Sequence, residues 1–142
     1  MRHVTVLTLC DAVSVREGLL HVLGGGITRL ERESFPAPLL CNIATMVEVE
    51  NVADEGHIDI VLRLLKAEAG GESLLSEISF GADYGPNDVL SLDAPAAIPL
   101  AVEAANLGLP GPGRYHVAAL LDGKEAARIS FWAGLSPETP QA

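Results

Sequence analysis

Four histidines and two cysteines are the residues of this 142-residue chain best suited to chemistry, and their spacing commits none of them to it. His3, His21, His57 and His116 each fall inside a stretch of strand character, and no two stand at i, i+2, the spacing that would aim both at one metal ion from a single strand. Adjacency between strands, for instance His57 with Asp59 and a neighbour, is the one way left to assemble a ligand set; solvent-facing histidines are the simpler expectation. Cys10 precedes Asp11, whose charge disfavours a thiolate, so Cys10 and Cys41 are expected to be reduced thiols packed as small hydrophobes. Gly24, Gly25 and Gly26 invite a phosphate loop, but such a loop needs a helix directly behind it to present free N–H groups. Behind Gly26 the chain runs "ITRLERESFPAP", with room for at most two turns of helix before Pro36 and no Lys-Ser/Thr pair. The glycines therefore predict a sharp strand-to-strand transition, with a positive φ or a bulge in at least one of them.

Other chemistry is equally thin. No Gly-x-Ser-x-Gly elbow is present, and "EVENVADEG" lacks the Asp-x-Asp-x-Asx-Gly pattern of a calcium loop and reads as a solvated turn. The aromatics, Phe35, Phe80, Tyr84, Tyr115, Phe131 and Trp132, fall mostly in core phase and do not make a carbohydrate platform. No catalytic residue, no cofactor and no metal ligand is assigned.

The elements that would position any site are strands. About eight short apolar segments are separated by Gly, Pro, Asp and Asn. They span residues 3–10, 19–23, 39–50, 57–67, 73–80, 96–107, 114–121 and 124–133, with "DAVSVREG" as a polar excursion after the first and 81–95 as a long polar connection. In 39–50, Cys41, Ile43, Thr45, Val47 and Val49 share one face. In 57–67, Ile58, Ile60, Leu62 and Leu64 point inward as a strand, although Ile58, Val61, Leu62 and Leu65 also stand at helical spacing. The strand is preferred for its β-branched start and glycine boundaries. Two prolines in "FPAP" exclude a helix or a central strand there, and Pro99 places its own strand at a sheet edge. Asp122-Gly123 between two apolar runs is the turn chemistry of a two-residue hairpin. Tyr115, behind a Pro-Gly-Pro turn, fits either a tyrosine corner bonded to backbone upstream or an ordinary core tyrosine.

Together these predict an all-β chain: an antiparallel two-sheet β-sandwich, Ig-like or Greek-key, of roughly seven to nine strands. One domain spans 1–134, with a flexible tail over 135–142. The length is that of one domain, which at this size buries about two-thirds of the surface of the unfolded chain. A net charge of −10 opposes nucleic acid and anionic membrane surfaces. No signal peptide is visible and apolar runs fall short of the ~20 residues of a membrane span, so a cytoplasmic, soluble protein is expected. With 49% hydrophobic residues and a mean hydropathy of +0.31, some apolar surface should be covered by a second copy of the chain.

Two stretches carry a family resemblance. "VLTLCDAVSVREGLLHVLGGGITRL", with Cys10-Asp11, Gly18 and the glycine run, and "LPGPGRYHVAALLDGKEAARISF" near the other end, resemble a family of uncharacterised bacterial domains. Those domains open with a Leu-Cys-Asp segment and a Leu-Gly-Gly-Gly turn and close with Pro-Gly-x-Tyr and an Asp-Gly hairpin; Leu19 stands where they commonly carry Lys. The resemblance implies a compact β domain and no functional residue. The primary expectation is a non-enzymatic, self-associating interaction or structural module whose dimer buries the apolar outer faces of 3–10 and 57–66. The alternative is a small-ligand site at one end of the sheets, where 81–95 and the 24–29 turn would bring together Arg29, Asp83, Tyr84 and Asn87. An enzyme built from distant strands ranks third.

Overall fold

The structure, a computed structural model, describes residues 1–53 and 55–137 and is built from strands, with a single 3-10 turn at Pro86–Asp88 as the helical piece among them. In chain order the strands are β1 (Arg2–Cys10), β2 (Ala12–Arg16), β3 (Leu19–Leu23), β4 (Arg29–Arg32), β5 (Ala37–Pro38) and β6 (Asn42–Val49). Next come β7 (Gly56–Glu68), β8 (Gly71–Tyr84), β9 (Ala96–Val102), β10 (Gly108–Leu109), β11 (Gly113–Leu121) and β12 (Lys124–Leu135). A three-stranded sheet has the order β1-β6-β9 and a five-stranded sheet the order β4-β12-β11-β7-β8; β5 pairs β10, and among the described residues β2 pairs only β3. All pairings are antiparallel except β4 with β12, which is parallel.

The strand reading of 57–67 holds: β7 buries Ile58, Ile60, Leu62 and Leu64, a period-two set that meets its partners on one side of the sheet. The predicted face of β6 is buried throughout, from Ile43 to Val49, with Cys41 just ahead of it. These residues share one core with the five-stranded sheet, where Leu9, Ile43 and Val102 meet Leu62, Leu64, Tyr115, Val117 and Phe131. A second cluster continues it toward the other end through Val47, Val49, Ile58, Ile60 and Leu121. Tyr115 and Phe131, opposite each other in register, stack with ring centroids 5.3 Å apart. Tyr115 is a tyrosine corner as well as a core residue: its hydroxyl donates to the Gly111 carbonyl and accepts from the Gly111 N–H at 3.4 Å. Asp122 (φ 48°) and Gly123 (φ 85°) both adopt the left-handed conformation that a type I′ hairpin requires, and β9, with Pro99, is an edge strand.

Several boundaries differ from expectation. "DAVSVREG" is not an excursion but β2 and its turn, since Glu17 (φ 54°) and Gly18 (φ 73°) reverse the chain into β3. The segment after the glycines is extended and lies as β4 beside β12, so no helix N-terminus follows Gly26. Gly24 (φ 66°) and Gly26 (φ 82°) carry the positive φ, and Gly26 N–H donates to Thr8 Oγ1 at 2.7 Å as the chain passes under β1. The 81–95 stretch begins as strand, because β8 stays in register with β7 as far as the Gly56–Tyr84 pair. Leu135 closes β12; of the expected tail, residues 138–142 lie outside the described residues.

Candidate functional site

A set of hydrogen-bonded polar side chains gathers where β7 begins and β8 ends. Antiparallel register places His57 opposite Asp83, and period two places Asp59 on the same outward face. His57 Nδ1 lies 2.6 Å from Asp83 Oδ1, and Nε2 lies 2.9 Å from Asp59 Oδ1. An imidazole can donate from both nitrogens only when protonated, so the two bonds, that to Asp83 foremost, raise the His57 pKa. Two glycines make room for this: a Cβ at Gly81 would lie 2.9 Å from His57 Cε1, and one at Gly56 would run into the Tyr84 ring.

Arg2, at the start of β1 in the other sheet, locks the same corner from the far side. Its guanidinium donates to the His57 carbonyl at 2.9 Å and the Tyr84 hydroxyl at 2.5 Å, and pairs with Asp122. Asp122 in turn accepts from the Asp59 N–H at 3.0 Å. One arginine thus ties β1 to β7, β8 and the β11–β12 turn, and its charge is spent within the fold. Alongside lies an open groove of about 630 Å³, lined among others by Glu55, His57, Asp83, Tyr84, Asn87 and Asp88.

Of the four residues expected to form a ligand site, Asp83, Tyr84 and Asn87 meet in this groove, whereas Arg29 does not. Arg29 stands on β4, at the opposite edge of the five-stranded sheet from β8, where it faces Trp132 and pairs with Glu31 at 2.6 Å. The 24–29 turn and the 81–95 connection therefore belong to different edges. His57, Glu55 and Asp88 belong to the groove instead. The pairing of His57 and Asp59 with a neighbouring strand was legible as a possibility; the partner Asp83, a hairpin away, was not. Among the described residues no group of three His, Cys, Asp or Glu side chains is arranged to hold a metal ion.

The remaining histidines divide by environment. His3 contacts Glu48 at 3.1 Å and His21 is exposed on β3, but His116 is buried, against the expectation of a solvent-facing position, with Nδ1 2.8 Å from Ser130 Oγ. Burial, then the charges of Arg128 and Arg114, lowers its pKa. Both cysteines are buried; burial, with Asp11 adding to it, raises the Cys10 pKa, and burial pushes Cys41 up to about 11.

Exposed apolar side chains lie on several elements, among them Leu74 on β8 and Trp132 on β12. On the outer face of β7 and β11, Leu65, Ala118 and Leu120 form their own buried cluster, so that stripe is already covered within the chain. The β2–β3 hairpin instead leaves Val15 and Val22 40% exposed, Leu19 61% and Leu23 69%.

A family model described as "Family of unknown function (DUF6941)" matches residues 5–133. No curated protein matches the chain. Among solved structures, the chain is similar to the Pseudomonas fluorescens alkylpurine DNA glycosylase AlkC bound to DNA containing an abasic site analog. That similarity has 12% identity and a TM-score of 0.42, covers 93% of this chain and spans only 30% of the length of that one. No helix among the described residues is long and apolar enough to cross a membrane.

Proposed function

The chain belongs to DUF6941, a family of unknown function, and from that premise we propose that it is a non-enzymatic module that works by association. In this reading the two larger sheets form a sandwich of the Greek-key kind, and β2–β3 is an arm that joins two copies in a homodimer. One observation carries it: four large aliphatic side chains, Val15, Leu19, Val22 and Leu23, stand 40–69% exposed on a hairpin that among the described residues pairs only with itself. The hairpin lies against β6 and β9, and burying the apolar residues it still exposes returns about 25 cal/mol per Å². A second copy's arm is self-complementary to it, apolar against apolar across a two-fold axis. The polar corner supports the non-enzymatic half of the reading, since both His57 nitrogens are engaged by Asp83 and Asp59, and Arg2 is engaged by Asp122, the Tyr84 hydroxyl and the His57 carbonyl. Two buried thiols suit a reducing bacterial cytoplasm.

Light scattering at micromolar concentration should give the mass of a dimer, and the double substitution Leu19→Ser with Leu23→Ser should give a monomer with an unchanged circular-dichroism spectrum. A wild-type chain that stays monomeric refutes the arm. A second reading, a small-ligand site, draws on the meeting of Asp83, Tyr84 and Asn87 in the groove. Its test is a thermal-shift screen of small cationic and polar metabolites, in which a shift abolished by Asn87→Ala supports it and a flat result removes it.

A further inference from the structure

The outer face of the five-stranded sheet carries a row of three side chains that the arm and the groove leave unused. Arg114 on β11 pairs in register with Trp132 on β12, and Trp132 with Arg29 on β4. Their neighbours Tyr115, Phe131, Ala133 and Leu30 point into the core, so by period two the row points out. Trp132 is the one tryptophan of the chain and is 51% exposed; the Arg29 side chain is 78% exposed. The Arg114 guanidinium lies 5.3 Å over the indole, and Arg114 has no carboxylate partner among the described residues.

Arg16, Arg32, Lys66 and Lys124 share that lack among the described residues, so what sets Arg114 apart is its place over the exposed indole. Arg2, Arg63 and Arg128 each find an intramolecular carboxylate, and Arg128 finds two. At the row, Glu31 pairs with Arg29, while among the described residues no carboxylate pairs with Arg114. The buried His116–Ser130 pair next to it adds no charge while the histidine is neutral. An exposed indole with one guanidinium over its face and a second arginine beside it in register, on the flat of a sheet, has the composition of an interface hot spot, where Trp and Arg are enriched and the charged rim chooses the partner. A flat face fits a polypeptide better than a small molecule, which needs a concave site. The net charge of −10 disfavours a polyphosphate strand. Screening beyond about 10 Å weakens that repulsion for any short anionic segment, so it is the oligothymidylate arm of the test that separates phosphates from carboxylates.

We propose that Arg29, Trp132 and Arg114 form a docking surface for an acidic segment of another protein, with an apolar or aromatic side chain of that segment on the indole and its carboxylates on the two guanidiniums. The proposal is independent of the arm. Trp132 reports on it directly, since intrinsic tryptophan fluorescence of the whole chain comes from this residue. A short synthetic peptide of repeated Glu-Phe-Glu units should shift the emission to the blue in a saturable manner. Its apparent affinity should fall about tenfold in Arg114→Gln, in Arg29→Gln and again at high salt. The two substitutions lie on the outward face on different strands, so either one tests the surface if the other impairs folding. An equal response to a Lys-Phe-Lys peptide, a response to oligothymidylate alone, an emission shift that follows only the chain's own concentration, or no response at all would each overturn the proposal.

Discussion

The hairpins β2–β3 and β11–β12 turn on the same backbone chemistry and end in opposite surroundings. Glu17-Gly18 and Asp122-Gly123 both hold two successive residues at positive φ. Yet β11–β12 sits inside the five-stranded sheet, flanked by β7 and β4, while β2–β3 has no third strand among the described residues. Phe131, Tyr115 and Val117 are sealed in the core; Leu19 and Leu23, on a segment just as apolar, are mostly in water. Turn chemistry decides that a hairpin forms, and neighbouring strands decide whether it is buried.

The largest effect that would break this contrast is on core packing. Phe131→Ala should cost about 3–5 kcal/mol in urea denaturation, whereas Leu23→Ala should change stability by less than about 0.5 kcal/mol. Equal losses would mean that the arm packs as core. Gly123→Ala, which forces a Cβ into left-handed backbone, should cost about 1–2 kcal/mol of global stability. Gly18→Ala carries the same local strain, but its expected readout is faster amide exchange within 12–23 with little global change, since a self-paired hairpin can open by itself. Tyr115→Phe, which keeps the stack on Phe131 and removes the corner bond to Gly111, should lose about 1 kcal/mol.

The smallest effect is electrostatic and sharpens a second contrast, between His57 and His116. With its folded pKa raised by Asp83 and Asp59, His57 contributes stability that is complete below its unfolded value near 6.5 and is lost as pH rises through the folded value. His116 is shifted the other way by burial, so the unfolded chain binds its proton first and stability falls as pH drops below about 6.5. Above about pH 6.5, His57→Gln should therefore make stability fall less with rising pH, and below about pH 6.5, His116→Gln should make it rise less with rising pH. Matching slopes in the two variants would deny the difference.

How far the sequence could be read depends on the range of each interaction. The inward set of β7, the Asp122-Gly123 turn and the edge at Pro99 are local, encoded by period two, by φ preference and by a missing N–H. The extension of β8 to Tyr84 was not legible, because "GADY" has little strand character and is held by its register with Gly56–Asp59. Placing Arg29 beside Asp83 requires two loops to meet, and sheet order puts them on opposite edges. His116 has the same local pattern as the other strand histidines, and its burial depends on which neighbours cover its face of the sheet.

By itself, then, the sequence determined an all-β chain, its principal strands, which face of β6 and β7 is apolar, the tyrosine corner as one of two readings, and a glycine run that bends rather than binds phosphate. Each of these depends on residues a few positions apart. Only the tertiary structure decided that His57 lies between Asp59 and Asp83, that Arg2 clasps the same corner, that the outer stripe at Leu65 is covered while the β2–β3 arm is not, and that Arg29 and Arg114 flank Trp132. Those are pairings between strands distant in sequence, and period two sets the face of a residue without saying which strand will lie beside it.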